Sequence, residues 1–256
     1  MPFDVQSVRA QLPGRRIDWF ESVESTMIEA ARLARNGCAS GTLVGAEQQA
    51  AGMGRQGRAW HSEPGAGLYA SFILRPPMAA ERLPLLMLAL GLAAREAIVA
   101  TTGLAPDLRW PNDVMLGAKK CAGILAHMET GSSAVIAGIG INVHHTNFPP
   151  ELADIATSLA LEGTHATREV LLVALAPAVD AFGALAATDS GAILDSFTRA
   201  SSYVQGRRVC VDQDGAGQHD AMVAGVTCGL DPSGFLRLRQ DNGMEVTILA
   251  GGVRPV

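Results

Sequence analysis

The chain has 256 residues, 48% of them hydrophobic and 18% charged, enough for a sizeable buried core and too apolar for extensive disorder. Its formal net charge of −5 argues against a nucleic-acid binder, because neutralising phosphates takes a concentrated excess of Lys and Arg, so any anion site must be local. Cys38, Cys121, Cys210 and Cys228 lie far apart without a C-x-x-C pair, which speaks against a disulfide framework or a cysteine metal site.

Residues 1–11 show no charged segment followed by an apolar core, so no secretory signal is expected. A strand is expected over 16–20 and a helix over 25–36, started near Glu24 or Ser25 and ended by Gly37. A second strand over 42–47 leads into a glycine loop, and a third follows over 68–74. The segment 81–102 reads as a helix that is apolar nearly all round, hence central. Its longest apolar run, 83–94, meets Arg95-Glu96 before it could span a bilayer, which points to a cytoplasmic protein without a membrane partner.

Short strands over 108–110 and 114–116 bracket Pro111-Asn112-Asp113, and 121–128 pairs with 134–143 through a turn at 130–133. Helices are expected over 168–187 and 191–201. From 205 the texture changes to β segments at 208–211, 221–228, 235–238 and 245–249 between Gly, Asp, Asn and Pro turns, the pattern of a small barrel. The fold class is therefore α+β, a mixed, hairpin-rich sheet with packed helices (residues 1–204) and a small C-terminal barrel (205–256).

The glycine loop runs Gly52-Met53-Gly54-Arg55-Gln56-Gly57-Arg58-Ala59-Trp60. Its glycines let backbone N–H groups approach a ligand, and its guanidiniums offer planar forks for carboxylate or phosphate. Gly52, Gly54 and Gly57 also spell G-x-G-x-x-G, but a dinucleotide fingerprint must open a helix, and residues 61–67, with Pro64, Gly65 and Gly67, cannot start one. Glu81, the nearest acidic residue that could meet a ribose, lies beyond Pro76-Pro77 at a helix start.

Four segments in order carry the chemistry: residues 49–60, Arg109-Trp110-Pro111-Asn112-Asp113, Lys120-Cys121-Ala122-Gly123-Ile124-Leu125, and Gly138-Ile139-Gly140-Ile141-Asn142. In their order and spacing, and with Ala156-Thr157-Ser158-Leu159 and Gly251-Gly252, the chain resembles the biotin protein ligases over almost its whole length. The resemblance implies a class II synthetase-like ligase domain with an SH3-like C-terminal barrel. It also implies an activity: biotin and ATP give biotinyl-5′-AMP and pyrophosphate, and the biotinyl group passes to a lysine of a biotin carboxyl carrier domain.

Joining a carboxylate to the α-phosphorus of ATP sets two anions together, so the site needs cations, N–H donors and Mg²⁺. By resemblance Lys120, Arg55 and Asp113 carry the chemistry. Ser25, Thr26, Gln49, Gly52, Gly54, Arg55, Lys120 and Gly123 surround biotin, with Ser25-Thr26 at its ureido ring. Arg55, Arg58, Trp60, Asn112, Lys120 and Asn142 take the nucleotide, and Asp113 is the candidate Mg²⁺ ligand. As a base, an aspartate of ordinary pKa is weak, so positioning and electrostatics are expected to dominate.

Taken one at a time, these residues have plainer readings. Arg55 and Arg58 alone read as solvated side chains, Trp60 and Trp110 as packing aromatics, Lys119 as half of a solvated pair, and Asn142 as a strand-end residue. His127, His144 and His145 do not suggest a metal site, because adjacent histidines on an extended segment point to opposite sides and no carboxylate or cysteine completes the spacing. The chain departs from the family pattern at Met53 and Met27, where arginine and asparagine are usual, and Arg109 stands for a lysine. About fifteen residues precede the first expected strand, too few for the DNA-binding domain of some members, so a ligase without repressor function is expected. Rival readings are a lipoate or octanoate ligase or transferase and a catalytically silent biotin-binding module. A homodimer is left open.

Overall fold

The computed structural model describes residues 2–212 and 222–256. A seven-stranded mixed sheet has the order β1-β2-β3-β7-β6-β5-β4. Its strands are β1 (Ile17–Val23), β2 (Leu43–Gln49), β3 (Gly67–Leu74), β4 (Asp107–Arg109), β5 (Asp113–Leu116), β6 (Lys119–Met128) and β7 (Val135–Asn142). Only β1 and β2 are parallel, and α2 (Thr26–Arg35) is the crossover between them; every other neighbouring pair is antiparallel.

Alternation along the central strands sends side chains to two different cores. Leu68, Ala70, Phe72 and Leu74 of β3, with Ala137, Ile139 and Ile141 of β7, join the larger core under α3 (Leu83–Thr102) and α5 (Arg168–Thr188). Ile73 and Ile136 face the other way and pack on Met27, Ala30, Ala31, Leu33 and Ala34 of α2. With both faces covered, β3 is buried throughout. The helix α2 forms where expected because the Ser25 side chain accepts from Met27 N–H as N-cap.

Both α3 and α5 are long and apolar enough to cross a bilayer by length and composition, which departs from the expectation that no segment reaches that length. The interruption by Arg95-Glu96 does not end α3. Arg95 is half-buried and donates to the Pro106 carbonyl, and the two helices pack against each other and the sheet. Two short helices escaped the sequence reading, α1 (Val5–Gln11) and α4 (Pro150–Ala153). Their single or double turns are too short to show a period, and α1 is anchored by its Asp4 cap and the buried Val8. The helix α6 (Ser190–Arg199) starts on the Asp189 cap.

The C-terminal part is a five-stranded antiparallel sheet in the order β11-β10-β9-β8-β12. Its strands are β8 (Gln205–Asp212), β9 (Met222–Leu230), β10 (Leu236–Arg239), β11 (Glu245–Ile248) and the unforeseen β12 (Gly252–Pro255). Position 221, where the second of these strands was expected to start, lies outside the described residues. Among the described residues no pairing of β11 with β12 closes the sheet into a barrel. Trp110 Nε1–H donates to the Gly234 carbonyl at 3.0 Å, joining this sheet to the larger one.

One buried ion pair ties the helical layer to the sheet. Arg168, at the start of α5, donates to Glu47 of β2 at 2.9 Å, with side-chain exposures of 2% and 11%. Glu47 also accepts from Trp19 Nε1–H at 3.0 Å and from Phe3 N–H at 3.3 Å. The Phe3 and Trp19 rings stack above the pair, 3.6 Å apart. Removing one charge strands the other in the interior. Arg168→Leu should therefore lower the unfolding free energy by about 3 kcal/mol in urea titrations, and adding Glu47→Gln to it should recover much of that loss.

Candidate active site

The face of the sheet turned toward α2 has a bare floor. Positions of β6 and β7 that alternate with core residues are Gly123, Gly138 and Gly140. A Cβ at Gly140 would lie 2.6 Å from the Trp60 ring, and one at Gly123 would lie 2.8 Å from both Trp60 and Lys120. At Gly138 it would sit 2.7 Å from the Met27 sulfur. Large side chains thus lie directly on backbone, an arrangement only glycine permits.

The glycine loop that ends at Trp60 closes on itself. Gly54 N–H donates to the Arg58 carbonyl at 2.7 Å and Trp60 N–H to the Gly52 carbonyl at 2.8 Å, while Met53 and Ala59 form a bridge. The tip, Arg55–Gly57, turns through Gln56 at φ 58° and Gly57 at φ 72°. Arg55 projects from this tip, and its Nη1 donates to Asn112 Oδ1 at 3.1 Å and to the Gly251 carbonyl at 3.2 Å. Burial lowers its pKa, opposed by Asp113 and reinforced by Arg58.

Below the loop, Asp113 gathers the remaining cations. Lys120 Nζ lies 2.5 Å from Asp113 Oδ1, and Arg109 donates to Oδ2 at 2.7 Å. The hairpin makes this possible, since β5 and β6 pair antiparallel and Arg109 sits opposite Asp113 in β4. Burial alone would push the Asp113 carboxyl up, but Lys120 and Arg109 together hold it below its ordinary value, so it stays ionised. Lys120 Nζ also lies 5.3 Å from the centre of the Trp60 ring.

Two cavities meet at these cations. The first, about 460 Å³, runs from Lys120 over the glycine floor to Ser25, Thr26, Met27 and Gln49. Thr26 donates through N–H and Oγ1 to Gln49 Oε1 at 2.9 and 3.0 Å, which fixes the polar end. The second, about 1030 Å³, opens on the other side beneath Arg58 and Asn142 and beside Gly251. Arg55, Trp60, Asn112 and Lys120 border both. A carboxylate in one cavity and a phosphate in the other would meet between two cations, the arrangement that joining two anions requires.

Sequence comparisons place this geometry. The Biotin/lipoate A/B protein ligase family model matches residues 19–144. The Mycobacterium tuberculosis biotin–[acetyl-CoA-carboxylase] ligase is 33% identical over 263 residues, covering 98% of this chain and 95% of that one. The chain belongs to the biotin protein ligase family. A biotin protein ligase from Aquifex aeolicus, solved with biotin and ATP, superposes with a TM-score of 0.81 at 30% identity, covering 94% of this chain and 99% of that one. The bifunctional ligase/repressor BirA of Bacillus spizizenii is 40% identical over 158 residues, and the match spans 49% of that relative's length.

The expected biotin residues Ser25, Thr26, Gln49, Gly54, Arg55, Lys120 and Gly123 border the first cavity. The expected nucleotide residues Arg55, Arg58, Trp60, Asn112, Lys120 and Asn142 border the second. Gly52 borders neither. It is bare because a Cβ there would meet the Trp60 carbonyl at 2.7 Å, so it shapes the loop. Ser25 spends its hydroxyl on capping α2.

Asp113 does not fit as a Mg²⁺ ligand, since both its oxygens are held by Lys120 and Arg109. Met53 is 39% exposed and serves the loop through its backbone bridge, which asks for no charge. Met27, 4% exposed, instead fills the space over Gly138. Gly138 and Gly140 carry a signal beyond their place in the motif, because glycine at every second position of a strand marks a bare face.

Asp113→Asn would leave Lys120 and Arg109 packed together without a counter-charge. With those side chains 27% and 21% exposed, water softens the penalty to on the order of 2 kcal/mol at pH 7. Because the folded carboxyl titrates below its usual 3.8, the stability it contributes is present above that value and is lost as pH falls through the folded one. Urea titrations across pH 7 to 2 should show the variant and the parent converging at the acid end.

Proposed function

We propose that this chain is an ATP-dependent biotin ligase that makes biotinyl-5′-AMP and passes the biotinyl group to a lysine of a biotin carboxyl carrier domain. The observation that carries this reading is the pair of cavities sharing Lys120 and Arg55. Biotin takes the glycine-floored cavity, with its ureido ring toward Thr26 and Gln49, and its carboxylate extends to Lys120. ATP takes the larger cavity, with Asn112, Asn142 and Arg58 around it. A carboxylate oxygen attacks the α-phosphorus, the bond to the bridging oxygen breaks, and pyrophosphate leaves. Lys120 and Arg55 offset the charge gathered at that centre.

In the second step a neutral carrier amine attacks the carbonyl of the mixed anhydride, AMP leaves and the amine proton goes to solvent. Asp113, held ionised and shared by two cations, positions Lys120 and is not the base. Magnesium, where it enters with the ATP phosphates, would supply charge neutralisation as their counter-ion. Arg55, anchored to Asn112 and Gly251, fastens the loop over the intermediate and keeps water from it.

Biotin-dependent exchange of label between pyrophosphate and ATP tests the reading. Exchange is expected with biotin, with less than about a tenth of that rate for lipoate or octanoate, a difference of roughly 1.4 kcal/mol or more. Biotin binding without exchange would sink the enzymatic reading. Arg55→Ala should speed release of biotinyl-5′-AMP in a filter-binding chase by about tenfold or more, and an unchanged off-rate would refute its role as the fastener.

A further inference from the structure

A second cluster of chemically able side chains lies just beyond the loop. One donor atom each from His61, Glu63 and His145 falls within 4.8 Å of the other two. His61 and Glu63 are two residues apart and present their donor atoms to the same cluster. His145 comes from the segment after β7, where His144 and His145 do point in opposite directions. His144 is exposed, with its ring nitrogen 3.0 Å from the Ala166 carbonyl, and His145 is fully buried.

The hydrogen bonding of His145 assigns its nitrogens. Tyr69 has one hydroxyl proton and donates it to the Glu63 carbonyl at 3.0 Å. The contact of His145 Nε2 with that hydroxyl, at 3.5 Å, therefore has Nε2–H as donor. Nδ1 is then left as the bare nitrogen with an in-plane lone pair, and it is buried without a hydrogen-bond partner among the described residues. A buried imidazole with one nitrogen held by an oxygen and the other bare is placed as a metal ligand whose orientation is fixed from behind. Its ring stacks on Phe148 at 5.0 Å, which holds it further.

We propose that His61, Glu63 and His145 form a binding site for a divalent transition metal of the zinc class, which pins the outgoing leg of the glycine loop to the segment after β7. Two imidazoles and one carboxylate suit zinc with a fourth, open position, and disfavour magnesium, which prefers an all-oxygen shell. Ligands at about 2.0–2.1 Å in a tetrahedron stand roughly 3.4 Å apart, so the three donors need to close by an ångström or so. The half-buried His61 and Glu63 side chains can supply that movement. The site is separate from Asp113 and the substrate junction, although His61 and Phe148 border the larger cavity, so an ion here stiffens one wall of it.

The experiment is a titration of chelator-treated, full-length protein with Zn²⁺ against a chromophoric chelator, without nucleotide or magnesium, accompanied by thermal melts and by Co²⁺ absorption spectra. One ion per chain is expected, with a raised melting midpoint and the visible bands of four-coordinate Co²⁺. His61→Ala, Glu63→Gln and His145→Gln should each weaken zinc binding by tenfold or more and remove those bands. Should His145→Gln fail to fold, the two variants at half-buried positions carry the test. No stoichiometric binding, binding unchanged in the variants, or an equal stabilisation by Mg²⁺ would each overturn the site.

Discussion

The carboxylate of Asp113 is the interaction on which the active site depends. Four cationic side chains, Arg55, Arg58, Arg109 and Lys120, converge on one region of a chain whose net charge is −5. Two of them are held in place by that single anion, at 2.5 and 2.7 Å. Placing positive charge in a partly dry cavity costs desolvation and mutual repulsion, and a shared carboxylate offsets both while the protein folds. The site therefore meets its anionic substrates with its charges already in position.

The bare glycine face supplies the space that those charges need. On one side of β6 and β7 the alternating residues are aliphatic and hold the sheet against α3, and on the other they shrink to hydrogen at Gly123, Gly138 and Gly140. Trp60 and Met27 settle on this floor and become walls of the first cavity. Trp60 thus links the loop to the sheet, and the loop's internal hydrogen bonds fix where Arg55 emerges. The C-terminal sheet completes the enclosure, because the Gly251 carbonyl accepts from the same Arg55 nitrogen that donates to Asn112. Behind the sheet, the Glu47–Arg168 pair clamps β2 to α5 near the end of the strand that leads into the loop.

The short-range features of this arrangement were legible in the chain. Ser25 at a helix start, the apolar run of α3 and the glycines of the loop each follow from local rules of capping, periodicity and backbone freedom. The order of the four motifs also carried the family, because the residue types that bind two anions leave a pattern along the sequence. Boundaries drifted by a few residues where tertiary pairing extends a strand, as in β1, which runs on to Val23 because Ser22 and Val23 pair with Gln48 and Gln49.

The sequence by itself determined which residue types were available and how each local segment bends: cations and glycines in the loop, a carboxylate beside Lys120, alternating glycine in β7. Tertiary structure alone decided their partners. It gave both Asp113 oxygens to cations and packed Gly52 against the Trp60 backbone. It brought Gly251 to Arg55 across 196 positions and set His145 beside His61 and Glu63. The reason is physical: turn and periodicity rules act over a few residues, whereas charge pairing and close packing act through space, and only the folded chain says which distant groups become neighbours.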